Sequence, residues 1–355
     1  MDKARELMAG HKVSHLIAVP GPDMFYLTGL PLRRADRFSA LALHATAAPI
    51  LLCPVMDRGL VQAGPGAVED VRYFDDSEDP ITLMSKHLKK TDASFVALSG
   101  QTWYEEFVPL HADLPKITFA AAHPYVGIPR QVKSIEEIQL IRSVARLVQG
   151  AVDAALAELR EGMRESEVAL RVESWLRERG AVAEGTVQSG PRTESPRLPA
   201  GDRRIANGDL VVVSYGASVH GYWARVSRTA VLGKATGRMK MIHQALRDAQ
   251  DFAQERVKPD LPPAAIDQVA RAALGKRGFI KLLLHSAGNG CGVEPVEAPY
   301  ISPGYFTRLA AGNVFTLGQG VYTSGEYGIR LEDMAQVTPD GAKWMTAPPA
   351  GLLEL

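Results

Sequence analysis

The chain has 355 residues, of which 46% are hydrophobic, and its 40 basic side chains are matched by 40 acidic ones. That balance gives no electrostatic attraction to nucleic acid or to an anionic membrane surface. The longest apolar runs, such as residues 40–52 with His44, Thr46 and Pro49 inside them, fall short of the roughly 20 residues that a membrane span requires.

The length suits two medium domains. The opening stretch MDKARELMAGHK has no signal-peptide apolar core. Cys53 and Cys291 read as unpaired thiols of a reducing compartment, so a cytoplasmic protein is expected. In chain order, ARELMAGH reads as a short helix, VSHLIAVP as a strand, and SALALHATAAPILLCP as two strands joined near Ala47–Pro49. DPITLMSKHLKK follows as a helix and ASFVALSG as a buried strand, completing a compact α/β domain. A proline-bearing stretch, His123–Lys133, leads to Ser134 and Glu137 at capping-box spacing. Behind them Ile138, Ile141, Ala145, Val148, Val152, Ala155 and Leu159 recur at steps of three and four, which predicts a helix with one buried face. The boundary is therefore set just before this helix, dividing the chain into 1–127 and 128–355. A second amphipathic helix ends at Gly180, a strand pair follows, and further helices are predicted at about 239–257 and 263–276, with short strands after them.

Several blocks together carry a resemblance. They are PDMFYLTGL near the N-terminus, VKSIEEI at the junction, and then NGDLVVVSYGASVHGYWARVSRT, HSAGNGCGVEPVEAP, GNVFTLGQGVY and GIRLEDMAQVTPDG. Over nearly its whole length the chain resembles the creatinase and proline-peptidase (M24) family, which includes prolidase and aminopeptidase P. The resemblance implies an α+β protein: a C-terminal pita-bread domain preceded by a smaller α/β creatinase-type domain. It also implies a homodimer.

Active members of that family hold two divalent metals with two aspartates, one histidine and two glutamates, because hard cations favour carboxylate oxygen and imidazole and two such ions activate a water. The resemblance places the aspartates at Ser214 and Arg225, the histidine at Asn289 and the first glutamate at Gly318; only the last ligand survives, as Glu332. A shifted alignment does not rebuild the set, since residues 210–232 contain no acid and residues 286–355 no histidine. Auxiliary histidines of the family fall near Arg197 and at Val296. The metal-independent creatinase pattern fares no better, with its histidine slot near Arg197 and a glutamate slot at Ser227. Gly288, Gly290 and Gly292 are followed by no Lys-Ser or Lys-Thr, so no phosphate loop is expected.

Three functions remain open from the residues. The favoured one is a family member without the dinuclear site and without a cofactor, its pocket kept for an unidentified small molecule or peptide. The second is a metal-independent hydrolase or lyase on a small amide, amidine or carboxylate, with His285 as acid or base, Glu332 or Glu297 as its partner, and Arg330 as a carboxylate clamp. The third is an Xaa-Pro peptidase with a remodelled site. Arg330 and Glu332, two apart on one strand, share a face. Arg225, a cation in a former ligand slot, is expected to pair with Glu332 in the space of the metals.

Overall fold

The computed structural model describes residues 1–355. They form two compact units, Met1–Arg130 and Gln131–Leu355.

The first unit is built on strands β1 (His15–Ala18), β2 (Ala40–His44), β3 (Ile50–Pro54), β4 (Asp70–Phe74), β5 (Phe95–Leu98) and β6 (Thr118–Ala121), in the sheet order β4-β3-β2-β1-β5-β6. β2 runs antiparallel to both β1 and β3, and the other pairings are parallel. Alternation along the strands sends Leu16, Ala18, Leu41, Leu43 and Leu51 into one apolar cluster and Ile17, Val19, Ala40, Ala42 and Leu52 into another. Both faces are therefore covered, which is why these strands read as near-continuous apolar runs. The helices are α1 (Asp2–Gly10), α2 (Pro22–Thr28), α3 (Arg58–Gln62), α4 (Pro80–Lys90), α5 (Tyr104–Asp113) and α6 (Gly127–Gln131). β4 and α5 have no counterpart among the sequence expectations. β4 is only five residues long and none before Phe74 is fully buried, and α5 carries Pro109 inside it, so neither gives a strong signal in the sequence.

The second unit begins with α7 (Ile135–Ala157). Its capping box forms as the spacing predicts: the Glu137 N–H donates to Ser134 Oγ at 3.2 Å, and the Ser134 N–H donates to Glu137 Oε2 at 2.7 Å. The expected face is buried from Ile141 to Ala155, whereas Ile138, in the first turn, is only partly covered. α8 (Glu165–Arg177) is followed by Gly180 at φ 75°, a left-handed conformation that favours glycine. Strands β7 (Val182–Ser189), β8 (Leu210–Val219) and β9 (Tyr222–Val231) then form an antiparallel sheet. After α9 (Gly237–Arg256) and α10 (Pro263–Lys276) come β10 (Gly288–Gly290), β11 (Glu297–Ile301), β12 (Val314–Leu317), β13 (Gly320–Thr323), β14 (Tyr327–Arg330), β15 (Asp333–Thr338), β16 (Gly341–Trp344) and β17 (Leu353–Glu354). β17 joins the edge of β9, β13 pairs with β14, and a second sheet has the order β11-β10-β12-β15-β16.

Helices α7 and α8 share an apolar cluster with Val211, Val213, Tyr215, Ala224 and Val226. α9 and α10 share another with Phe315, Leu317, Ala335 and Val337. Since side chains alternate along a strand, the face of β8 and β9 turned away from α7 and α8 carries Ser214, Gly216, Arg225 and Ser227. An isolated antiparallel bridge between Ser227 and Glu332 ties β9 to the segment between β14 and β15. Both cysteines are buried and free, and no helix is long and apolar enough to cross a membrane. Replacing the cap, Ser134→Ala, should lower stability by about 1 kcal/mol in urea denaturation, while Ser134→Asp, which keeps an acceptor, should leave it close to wild type.

Candidate functional site

Two rows of residues cross the β7-β8-β9 face. In the first, Thr186 lies opposite Ser214 and Ser214 opposite Ser227, which in turn bridges to Glu332. In the second, Glu184 lies opposite Gly216 and Gly216 opposite Arg225. Arg225 and Glu332, one from each row, line a cleft of about 670 Å³, whose lining also includes Arg197, Leu198, Leu284, His285, Asn289, Val296 and Arg330.

The first row ends at the carboxylate of Glu332. Glu332 Oε2 accepts hydrogen bonds from Arg330 Nη2 at 2.8 Å and Ser227 Oγ at 3.0 Å, and Ser227 Oγ lies 2.7 Å from Ser214 Oγ. Burial opposes its ionisation, yet the nearby guanidinium groups of Arg330 and Arg225 and hydrogen bonds from Ser227 and Thr316 hold its pKa at about 2. Glu332 is an anion whose partner is a fixed cation.

The second row corrects the expected Arg225–Glu332 pair. Arg225 Nη1 donates to Glu184 Oε1 at 3.1 Å, and Glu332 is taken by Arg330. Geometry explains the choice. Gly216 stands between Arg225 and Glu184 in the row, and a Cβ there would lie 3.0 Å from Arg225 Cγ. The arginine stem crosses over this glycine to reach the outer strand. Arg330, two residues before Glu332, reaches it by the shorter path.

His285 also departs from expectation. Its Nδ1 lies 2.9 Å from the Ser286 carbonyl oxygen, which can only accept, so Nδ1 carries the proton. Burial, and after it the Arg330 charge, push its pKa down, keeping the ring neutral at pH 7. Nε2 is then an acceptor, and it receives the Tyr322 hydroxyl at 3.0 Å, a phenol that burial pushes up to about 12. With both nitrogens engaged, His285 has no hydrogen bond to either Glu332 or Glu297. Glu297 instead receives Lys133 Nζ at 2.6 Å, a pair in which both side chains are buried. The two residues proposed as acid–base partners of His285 are thus each bonded to a cation, and the Arg330 guanidinium offered as a clamp already binds inside the protein. Sequence reasoning missed Tyr322, Lys133 and Glu184. The signal for Tyr322 was alternation, since Val321 beside it belongs to the apolar cluster of α9 and α10.

Ser214 donates or accepts within the serine row, Arg225 is cationic, and the Asn289 side chain makes no hydrogen bond inside the protein. At Gly318 a Cβ would meet the Leu331 carbonyl oxygen at 2.0 Å and Glu332 Cα at 2.6 Å. No group of three or more His, Cys, Asp or Glu side chains in the protein is disposed to hold a metal ion.

The fold is that of a pita-bread protein with a creatinase-type N-terminal unit. Residues 139–339 match the model of metallopeptidase family M24, and residues 1–132 match the creatinase/prolidase N-terminal domain; the chain belongs to family M24. It is 36% identical over 227 residues to the Xaa-Pro dipeptidase of Pyrococcus furiosus, a match covering 63% of this chain and 65% of that one. It is 28% identical to the putative dipeptidase YkvY of Bacillus subtilis over 94% of this chain and 93% of the relative. Among solved structures, the prolidase from Thermococcus sibiricus superposes with a TM-score of 0.94 at 26% identity, covering 100% of this chain and 98% of that one. The dipeptidase PepE from Mycobacterium ulcerans gives 0.92 at 27% identity, covering 99% and 96%.

Because the Glu332 pKa is depressed from an ordinary value of 4.5 to about 2, its contribution to stability is complete above about pH 5 and is lost as pH falls towards 2. Arg330→Ala leaves this carboxylate buried and unpaired, so it should destabilise by the lower part of about 3–5 kcal/mol at pH 7. The deficit should shrink on acidification as Glu332 takes up a proton. Urea titrations at a series of pH values measure both effects.

Proposed function

We propose that this M24 member does not carry out two-metal hydrolysis of Xaa-Pro peptides and keeps its cleft as a binding site for a small ligand. The observation that carries the reading is the donor set. One carboxylate, already neutralised by Arg330, together with two serines, an asparagine and an arginine cannot offset the dehydration of two divalent cations. The donor set therefore does not fit a dinuclear metal centre. The packing at Gly318 supports the same reading, because a glutamate cannot be put back there unless the backbone at Leu331 and Glu332 moves.

A metal-independent hydrolysis has less support. A general base must be able to reach the proton it removes, and His285 makes hydrogen bonds through both of its ring nitrogens. Relatives named Xaa-Pro dipeptidase and prolidase favour instead an Xaa-Pro peptidase, and that second reading has a direct test.

Protein dialysed against Mn, Co or Zn and analysed for bound metal should retain well below one equivalent, and turnover of Xaa-Pro dipeptides should stay at background with any of these ions. Arg225→Asp combined with Asn289→His should not restore turnover, since the glutamate at 318 is still missing. Metal-stimulated hydrolysis that disappears in Glu332→Ala and persists in a distant surface variant would establish the peptidase reading instead.

A further inference from the structure

We infer that the ligand of the cleft is an amphiphilic anion: a carboxylate or phosphate-monoester head bound by Arg225 and Arg197, with an apolar body lying against Leu198, Leu284 and Val296. This rests on the proposed retention of the cleft for small-ligand binding and names the chemistry that it selects.

The charge of the cleft is the first argument. Its lining has three arginines, Arg197, Arg225 and Arg330, against two glutamates, Glu194 and Glu332. Both glutamates are already engaged: Glu332 with Arg330 and Ser227, and Glu194 with the N–H of Gly325. Arg197 has no ion-pair or hydrogen-bond partner in the protein and is exposed. Arg225 is bonded through Nη1 alone, which leaves the rest of its planar fork of donors open to the cleft. Its partner Glu184 is 53% exposed, and ion pairs with a solvated partner are weak, so an oxyanion can compete for the guanidinium. Two-point binding of an oxyanion is the geometry a guanidinium serves best.

Hydrogen bonding and apolar surface make the second argument. The Asn289 amide, unpaired within the protein, supplies a further donor or acceptor on the same lining. At the rim, Leu198, Leu284 and Val296 are 36%, 61% and 43% exposed. Three aliphatic side chains left in water around one cationic cleft would be covered by a hydrocarbon body attached to the anionic head, a combination of apolar lining with a few placed polar groups typical of ligand sites. A bare inorganic anion would leave them exposed. An amine would meet the excess positive charge.

Calorimetric titration and thermal unfolding of the full chain with hexanoate, hexyl phosphate, hexanol and hexylamine provide the test, with acetate and inorganic phosphate as heads lacking the body. Saturable binding by hexanoate or hexyl phosphate, tighter than by acetate or phosphate, is expected, and the tighter of the two identifies the head group. Arg225→Gln should weaken that binding at least tenfold, and rising salt should weaken it progressively. Leu284→Asp, at a solvent-exposed rim position where folding is not at stake, should abolish it. The inference is overturned if hexanol or hexylamine binds as well as the anions, if none of the probes binds, or if the folded Leu284→Asp protein binds unchanged. Metal analysis on the same preparation separates the two levels. Stoichiometric metal means that the ligand-binding reading itself has failed, whereas metal-free protein that ignores both anions removes only the assignment of ligand class.

Discussion

The second unit depends on one junction, where β9 meets the segment between β14 and β15. Ser227 and Glu332 exchange backbone hydrogen bonds, each N–H donating to the other's carbonyl at 3.1 Å. Immediately beside them, Arg228 is buried with Asp333 at 2.6 Å. Its Nη1 also donates to the carbonyls of Ser227 and Glu332, and its Nη2 to that of Ala347. Asp333 is further held by the Thr346 hydroxyl at 2.8 Å. A buried ion pair is weak evidence for stability when its charges are left short of partners. Here backbone carbonyls and the Thr346 hydroxyl supply further partners, so the pair holds β9 against the start of β15.

Glu332 has a structural duty at this junction. Its backbone closes the bridge, and its side chain receives both the serine row and Arg330. Ser214 continues the hydroxyl row, and Gly318 gives the chain room to pass against Leu331 at a separation that no side chain could tolerate.

Much of the fold was legible in the sequence because local signals agreed with packing. The Ser134–Glu137 box starts α7, Pro263 opens α10, and Gly180 takes the left-handed turn after α8. The expected ligand positions rested on a different signal, the surrounding glycines and the Arg228–Thr229 pair that set the alignment to the family. Pairing within the cleft was less legible. β7, VAEGTVQS, lacks a regular apolar alternation over its first half, so nothing in the sequence set Glu184 opposite Gly216. Without that register the expected contact of Arg225 fell on the nearest known carboxylate. The Arg330–Glu332 contact was within reach, since their shared face was evident, but the competition between two arginines for one carboxylate is decided by distances that only the folded chain supplies.

That competition also explains the electrostatics of the cleft. Several carboxylates crowded together without metals would raise one another's pKa values and destabilise the fold at neutral pH. A single carboxylate matched by a neighbouring arginine avoids this, and the depressed pKa of Glu332 reports the match. Once Arg330 has neutralised Glu332, however, Arg225 is surplus to the interior. It is drawn outward over Gly216 to a half-exposed glutamate on the outer strand, a weaker partner than a buried one. The result is a cationic group anchored in a well-packed sheet yet only lightly held at its tip, where its remaining donors face the cleft.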